Sequence, residues 1–246
     1  MKTKRVRIDY SKVIPLFEKG YSYREIGRML GYKEGSIACY MLRHYGKVPK
    51  GNKEIKLTYL QEQVLFGSLL GDGCLRLETN ALNPIFNEEH GIKQLEYMEH
   101  KLKVFNNLSN MSSPRINDRY DVRFKEQHYQ SCTITLKANP AFHSFYKDFY
   151  GNGIKCVPSD LSLLTPLAIA IWFMDDGLIQ NQGYGLCTNS FKREETERLA
   201  KVLSEEYNLD VTIIRKGTIY IKKNSVLKFN TIIKDYIIDS MLYKLH

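Results

Sequence analysis

The sequence predicts an α+β fold: a small all-α unit at the N-terminus, then a body in which one order of elements occurs twice as a pseudo-twofold duplication. Three observations carry this prediction. Two apolar, helix-like stretches end alike, in "LLGDG" at 69–73 and "FMDDG" at 173–177. Each is followed by strand, polar helix, strands and helix in the same order. The excess positive charge lies ahead of both. Of 36 Lys+Arg and 27 Asp+Glu, 14 and 5 fall in residues 1–56, which leaves the remainder balanced.

With 246 residues, 43% hydrophobic, the chain can build one large domain or a large one with a small companion. The start, "MKTKRVRIDYSK", lacks the apolar core of a secretory signal, and the longest apolar run, "LLTPLAIAIWFM", is interrupted by Thr165 and Pro166 and is too short to span a bilayer. The expectation is a protein that is not secreted and has no membrane partner, located in a cytoplasm (phage or bacterial host) or an organellar matrix. Five scattered cysteines suggest neither a disulfide framework nor a zinc knuckle, and read as reduced core thiols.

The N-terminal module, residues 1–50, reads as three short helices. "SKVIPLFEKG" ends at Gly20 and contains Pro15. "SYREIGRMLG" begins with a capping box, Ser22 and Glu25, carries Ile26, Met29 and Leu30 on one face, and stops at Gly31. "KEGSIACYMLRHYG" turns Ile37, Met41 and Leu42 inward and leaves Lys33, Ser36, Tyr40, Arg43 and His44 for other contacts. Helix, tight turn and helix resemble a helix-turn-helix, whose second helix enters the major groove of DNA. Basic residues gain by releasing counterions from phosphate, so the charge favours a nucleic-acid partner. Residues 51–57 read as a linker, residues 58–158 as the first repeat and residues 159–246 as the second.

The first repeat reads as the apolar helix ending at Gly73, strand-like "CLRLETN", helix "GIKQLEYMEHKLKVFNNL", strands in "SPRINDRYDVRF" and "YQSCTITLKAN", and helix "PAFHSFYKDFYG". The second reads as "PLAIAIWFMDDG", "YGLCTNS", "KREETERLAKVLSEEYNL", "DVTIIRK", "TIYIKK" and "NSVLKFNTIIKDYII". "YKDFY" and "IKDYI" correspond, and each precedes a further lysine, Lys155 and Lys244.

The glycine-rich stretch "VLFGSLLGDGCLRL" is not a phosphate loop: its glycines lack the GxGxxG and Walker spacings, and a strand rather than a helix follows. As a helix it makes sense. Gly67 and Gly71 are four apart and share a face on which another helix approaches closely, and Gly73 ends it. Asp72 and Asp176 are then the last carboxylates of two matched helices. If those helices pack side by side, the two anions repel and raise each other's pKa unless divalent cations bind between them. A metal so held could polarise water for phosphodiester hydrolysis. The carboxylate and "EHK" (Glu99 to Lys101) mimic another nuclease pattern, but that pair falls in a helix, where residues two apart do not share a face. The six histidines form no HxxxH pair, which argues against zinc hydrolysis.

"LFGSLLGDG" and "IAIWFMDDG" resemble the two signature helices of single-chain LAGLIDADG homing endonucleases, with further resemblance in "LCTNSF" and "MLYKL", over about residues 58–246. The resemblance implies two αββαββα units, signature helices at their interface, and two four-stranded antiparallel sheets forming a saddle over the DNA major groove. It implies that Asp72 and Asp176 bind catalytic Mg²⁺ (with Mn²⁺ a substitute and Ca²⁺ supporting binding without cleavage), and that Lys155 and Lys244 are the basic residues beside them. It implies a monomer that cuts both strands of double-stranded DNA at a long asymmetric site and leaves short 3′ overhangs. Leu70 stands in place of the motif's first aspartate, and Ile171 and Trp172 stand near the middle of the second helix. Arg115, Arg119, Arg123 and Lys125 in one ribbon, and Arg215, Lys216, Lys222 and Lys223 in the other, are candidates for DNA contact, since Arg reads guanine edges and Lys meets phosphate. The alternative is a binder that does not cleave, either a splicing maturase with intron RNA as its partner or a helix-turn-helix transcription regulator.

Overall fold

The computed structural model describes residues 8–19, 21–45, 56–78, 81, 83–121, 127–151, 153–214 and 217–245. Arg123, Lys125, Arg215, Lys216 and most of the expected linker lie outside them, as do the side chains of Leu42, Tyr40, Arg43 and His44 in a helix whose backbone is described. Among the described residues no helix is long and apolar enough to cross a membrane.

Three helices come first: α1 (Tyr10–Glu18), α2 (Tyr23–Leu30) and α3 (Glu34–Tyr45). Asp9 caps α1, which runs through Pro15. Ser22 and Glu25 close the expected capping box on α2, and Gly31 ends that helix at φ +71°. Val13, Tyr23, Ile26, Ile37 and Met41 form a separate apolar cluster. Met29 does not join it: at 57% exposure it points outward, and the buried stripe of α2 is Tyr23, Ile26 and Gly27. Lys33 and Ser36 are exposed.

The body repeats αββαββα twice. The first unit is α4 (Tyr59–Leu70), β1 (Cys74–Arg76), β2 (Ile85–Gly91), α5 (Leu95–Val104), β3 (Arg115–Asp121), β4 (Gln127–Leu136) and α6 (His143–Tyr150). The second is α7 (Pro166–Asp176), β5 (Gly177–Gln180), β6 (Gly183–Leu186), α8 (Arg193–Glu205), β7 (Val211–Ile213), β8 (Ile219–Ile221) and α9 (Val226–Ile233). Both sheets are antiparallel and have the same order, β1-β2-β4-β3 and β5-β6-β8-β7.

Each sheet therefore contains a strand, β2 or β5, that residue patterning alone did not place. β2 alternates correctly, but its inward positions are Phe86, Glu88 and His90, so charge occupies sites where the pattern demands apolar residues. β5 follows its helix without a break, since Asp176 ends α7 and Gly177 begins the strand. One strand is shorter than expected: β8 ends at Ile221, so Lys222 and Lys223 lie beyond it.

α4 and α7 form the interface between the units. Thr58 with Gln61 caps α4, and Thr165 caps α7 with Pro166 at its first turn, where a missing N–H costs nothing. Both helices are buried nearly all round, as expected of helices at the centre of a core. A Cβ at Gly67 would lie 2.4 Å from the Ala168 carbonyl oxygen and 2.8 Å from the Ile171 Cβ. At Gly71 it would lie 2.5 Å from the Asp175 Cβ. The two glycines, one turn apart, are thus what lets the backbones meet, and Ile171 fills the groove that Gly67 leaves. Trp172 is fully buried. Of the cysteines described, Cys132 is buried, whereas Cys74, Cys156 and Cys187 are half-buried, and all four are unpaired.

Candidate active site

The interface helices end at the same place, though not in the same way. α7 includes Asp176 as its last residue, whereas α4 stops at Leu70, so Asp72 sits in the turn that leads into β1 rather than on the helix. The Gly73 amide closes that turn on the Ser68 carbonyl at 2.8 Å. Asp72 is therefore the more open carboxylate, with a 40% exposed side chain, and Asp176 is half-buried. Burial first, and then the charge of Asp72, push the Asp176 carboxyl up to about 6, against the pull of Lys155 and Lys244. The two predicted carboxylates are brought together, and their repulsion is what a divalent cation relieves.

The two predicted lysines join them at matched positions. The Lys155 ammonium donates to the carbonyls of Gly71 at 2.8 Å and Gly73 at 2.9 Å. The Lys244 ammonium donates to the Asp175 carbonyl at 2.9 Å. Each lysine thus grips the backbone next to one aspartate. Burial pulls both amines below the usual lysine range, while the nearby aspartates oppose the shift. An ammonium has three N–H donors, so each lysine retains at least one beyond these carbonyl bonds.

Beside this pair lies a cluster that the sequence reading left unassigned. Lys101 of α5 is completely buried and donates to both oxygens of Asp175 at 2.8 and 3.0 Å and to the Glu88 carboxylate of β2. The Tyr97 hydroxyl donates to Asp175 at 2.7 Å. The His90 Nε2 lies 2.7 Å from Glu88 Oε1, and its Nδ1 lies 3.7 Å from Asp72 Oδ2. Burial would raise Glu88, but Lys101 and the His90 hydrogen bond more than offset it and hold the carboxyl at about 2. Burial and the nearby Glu88 push Asp175 up to about 7. Glu88, His90 and Asp175 could together offer a metal three ligand atoms within 4.8 Å of one another. The ammonium of Lys101 already supplies the cation there, whereas Asp72 and Asp176 have mutual repulsion and oxygen donors suited to a hard ion. The fit therefore favours a metal at Asp72 and Asp176.

The candidate DNA contacts lie elsewhere. Arg115 and Arg119 are exposed on β3, and Arg119 makes a two-pronged pair with Glu89 of β2 at 2.6 and 3.0 Å. Lys222 pairs with Asp210 at 2.8 Å, and Lys223 follows it in a 3₁₀ turn. Tyr120 and Tyr129, each 50% exposed, share the first sheet with Arg115 and Arg119.

Residues 62–229 match the model of the LAGLIDADG DNA endonuclease family. The chain belongs to this family. This LAGLIDADG protein is 33% identical over 202 residues to the cytochrome b mRNA maturase bI2 of Saccharomyces cerevisiae, a match covering 74% of this chain and 46% of that one. It is 29% identical over 210 residues to the DNA endonuclease I-ChuI of Chlamydomonas applanata, covering 77% and 96%. The chain thus spans under half the length of the yeast maturase and nearly all of I-ChuI. Among solved structures, the homing endonuclease I-WcaI bound to its DNA recognition sequence is similar at 28% identity and TM-score 0.70, over 78% of this chain and 88% of that one.

Proposed function

We propose that the chain is a site-specific DNA endonuclease that hydrolyses both strands of a long asymmetric site with Mg²⁺ and leaves short 3′ overhangs. The observation that carries this is the paired site itself: Asp72 and Asp176 at the ends of two packed helices, each flanked by a half-buried lysine that holds the adjoining backbone. A bound divalent cation supplies an activated water and stabilises charge on the phosphate. Asp72 and Asp176 hold it, with Mn²⁺ a substitute and Ca²⁺ supporting binding alone. Lys155 and Lys244 direct their remaining N–H donors at water or at the phosphate, where a preorganised donor in a partly dry site stabilises developing charge. Because both carboxylates belong to one chain, a monomer suffices.

The sheets supply the duplex contacts in this reading, with Arg115 and Arg119 on one and Lys222 and Lys223 just beyond the end of β8 in the other. The N-terminal helices act as an added helix-turn-helix, with exposed Lys33 just ahead of α3 and exposed Ser36 in its first turn presented to a groove. The similarity to I-WcaI bound to DNA supports the duplex as partner. The similarity to the yeast maturase supports a second reading, a binder of intron RNA that does not cleave.

Cleavage of a randomised plasmid library by wild type, Asp72→Asn and Asp176→Asn, in Mg²⁺ and in Ca²⁺, separates them. Mg²⁺-dependent cutting at one site, lost in either variant, supports the endonuclease. Tight RNA or DNA binding with no cutting under any divalent metal supports the maturase or the regulator.

A further inference from the structure

The two halves of the site are not equivalent, and the difference is His90. Its Nδ1 lies 3.7 Å from Asp72 Oδ2 and its Nε2 3.7 Å from Asp175 Oδ1, so the imidazole stands between these two carboxylates without a hydrogen bond to either and acts on Asp72 through charge and contact. The ring is held from three sides: Nε2 on Glu88 at 2.7 Å, Nδ1 on the Gln94 side-chain oxygen at 2.6 Å, and its edge against Tyr97 with ring centroids 5.6 Å apart. Glu88 is in turn held by Lys101, and Gln94 donates to the Tyr243 hydroxyl at 2.8 Å, next to Lys244. Its side chain is only 3% exposed, so the ring has little room to turn.

The second repeat has no counterpart. Cys74 faces Asn87 across the first sheet and Leu178 faces Gly185 across the second, each being the first residue after its motif glycine. Counting on from these pairs, Glu88 corresponds to Leu186 and His90 to Thr188. Leu186 is apolar, and Thr188 turns its hydroxyl to the Gly217 carbonyl instead. The buried face of α8, which corresponds to α5, is Thr196, Leu199, Ala200 and Leu203, with no ammonium in the place of Lys101.

We infer that His90, braced by Glu88 and Lys101, is a positioning residue that aims the Asp72 carboxylate, and that the half-site at Asp176 works without such a brace. This rests on the endonuclease reading. Asp72 sits in a turn and is 40% exposed, so it has the rotational freedom that a brace removes; Asp176, on the last turn of α7, is already restrained by burial. Groups that orient a metal ligand commonly change metal affinity or activity about 10–100-fold when removed.

The test uses the full chain as wild type, His90→Ala and Glu88→Gln. The second variant keeps its shape and an acceptor for Lys101, and so guards against the first failing to fold. Calorimetric titration with Mn²⁺ alone reads the metal sites without any cleavage. The expected result is one site weakened about 10–100-fold with the other unchanged. On supercoiled plasmid carrying the selected site, both variants then accumulate nicked circles, because one strand is cut slowly and the other at the wild-type rate. Unchanged Mn²⁺ affinities, an equal slowing of both strands, or a loss confined to thermal stability would each overturn the brace. Should the wild type cut no DNA under any divalent metal, the endonuclease reading fails, and the Mn²⁺ titration still decides whether His90 positions Asp72. A shift in that titration supports the brace, and no shift, or no Mn²⁺ binding by the wild type, overturns it.

Discussion

Lys101, from the first repeat, and Asp175, from the second, form an ion pair across the boundary between the repeats with neither side chain exposed to solvent. Two N–H bonds of 2.8 and 3.0 Å, together with the Tyr97 hydroxyl, account for the Asp175 carboxylate, while the same ammonium also serves Glu88. A charge so placed is tolerable only while all its partners remain. Lys101→Met should therefore destabilise the chain by about 3–5 kcal/mol, the range for breaking a buried pair by removing one member. Urea denaturation checks this. The triple change Lys101→Met, Glu88→Gln and Asp175→Asn should recover part of the loss, because the strandedness of the remaining charges is the main cost.

The close approach of α4 and α7 gives a second expectation. At Gly67 a methyl group would point at a backbone carbonyl oxygen 2.4 Å away, and backbone cannot swing aside as a side chain can. Gly67→Ala should cost roughly 1–3 kcal/mol by overpacking, despite alanine's better helix propensity. For a chain of this size that lowers the thermal midpoint by several degrees, readable by circular dichroism. An unchanged midpoint would mean that the helices are spaced more widely.

How much of this was legible in the sequence follows from what each pattern encodes. The interface helices were readable because burial on all sides leaves an apolar run, and because Gly67 and Gly71 mark a shared face. The pairing of Asp72 with Asp176, and of Lys155 with Lys244, followed from the repeat. β2 was not readable, since a strand whose inward residues are Glu88 and His90 carries no hydrophobic alternation. Those charges are allowed inside only because Lys101 and Asp175, 13 and 87 positions on from Glu88, come to meet them, and no local window contains that information. Asp175 itself was overshadowed by its neighbour Asp176. Met29 shows the converse limit: an apolar residue at plausible helical spacing that three-dimensional packing leaves in water.

The same cluster sets an acid limit. Glu88 has a folded-state value of about 2 against an ordinary 4.5, so between those values the unfolded chain binds more protons and stability rises with pH. Its contribution is complete above about 4.5 and is lost as pH falls toward about 2. Asp175 works in the opposite sense, its raised value making stability fall as pH rises from 3.8 to about 7, so the clean window for Glu88 lies below about 3.8. Denaturation midpoints between pH 4 and pH 2.5 should fall steeply for wild type and less steeply for Glu88→Gln. Equal slopes would show that Glu88 is not held ionised by Lys101.

The lysines beside the carboxylates should separate structure from chemistry. Lys155 bridges the carbonyls on either side of Asp72, and Lys244 holds the carbonyl before Asp176, so each fixes a backbone segment and, in the proposed reading, also offers a donor to the phosphate. Lys155→Met removes both functions, whereas Lys155→Arg keeps the charge and some of the carbonyl bonds in a different geometry. Loss of one preorganised donor at a developing anion costs about 10²–10³-fold in rate. Single-turnover cleavage should fall by that order for Lys155→Met and for Lys244→Met. Affinity for the same DNA in Ca²⁺ should stay near wild type, because these amines are held on the backbone beside Asp72 and Asp176 rather than on the strands proposed to contact the duplex. A loss of DNA affinity matching the loss of rate would assign the lysines to binding instead of to the chemical step.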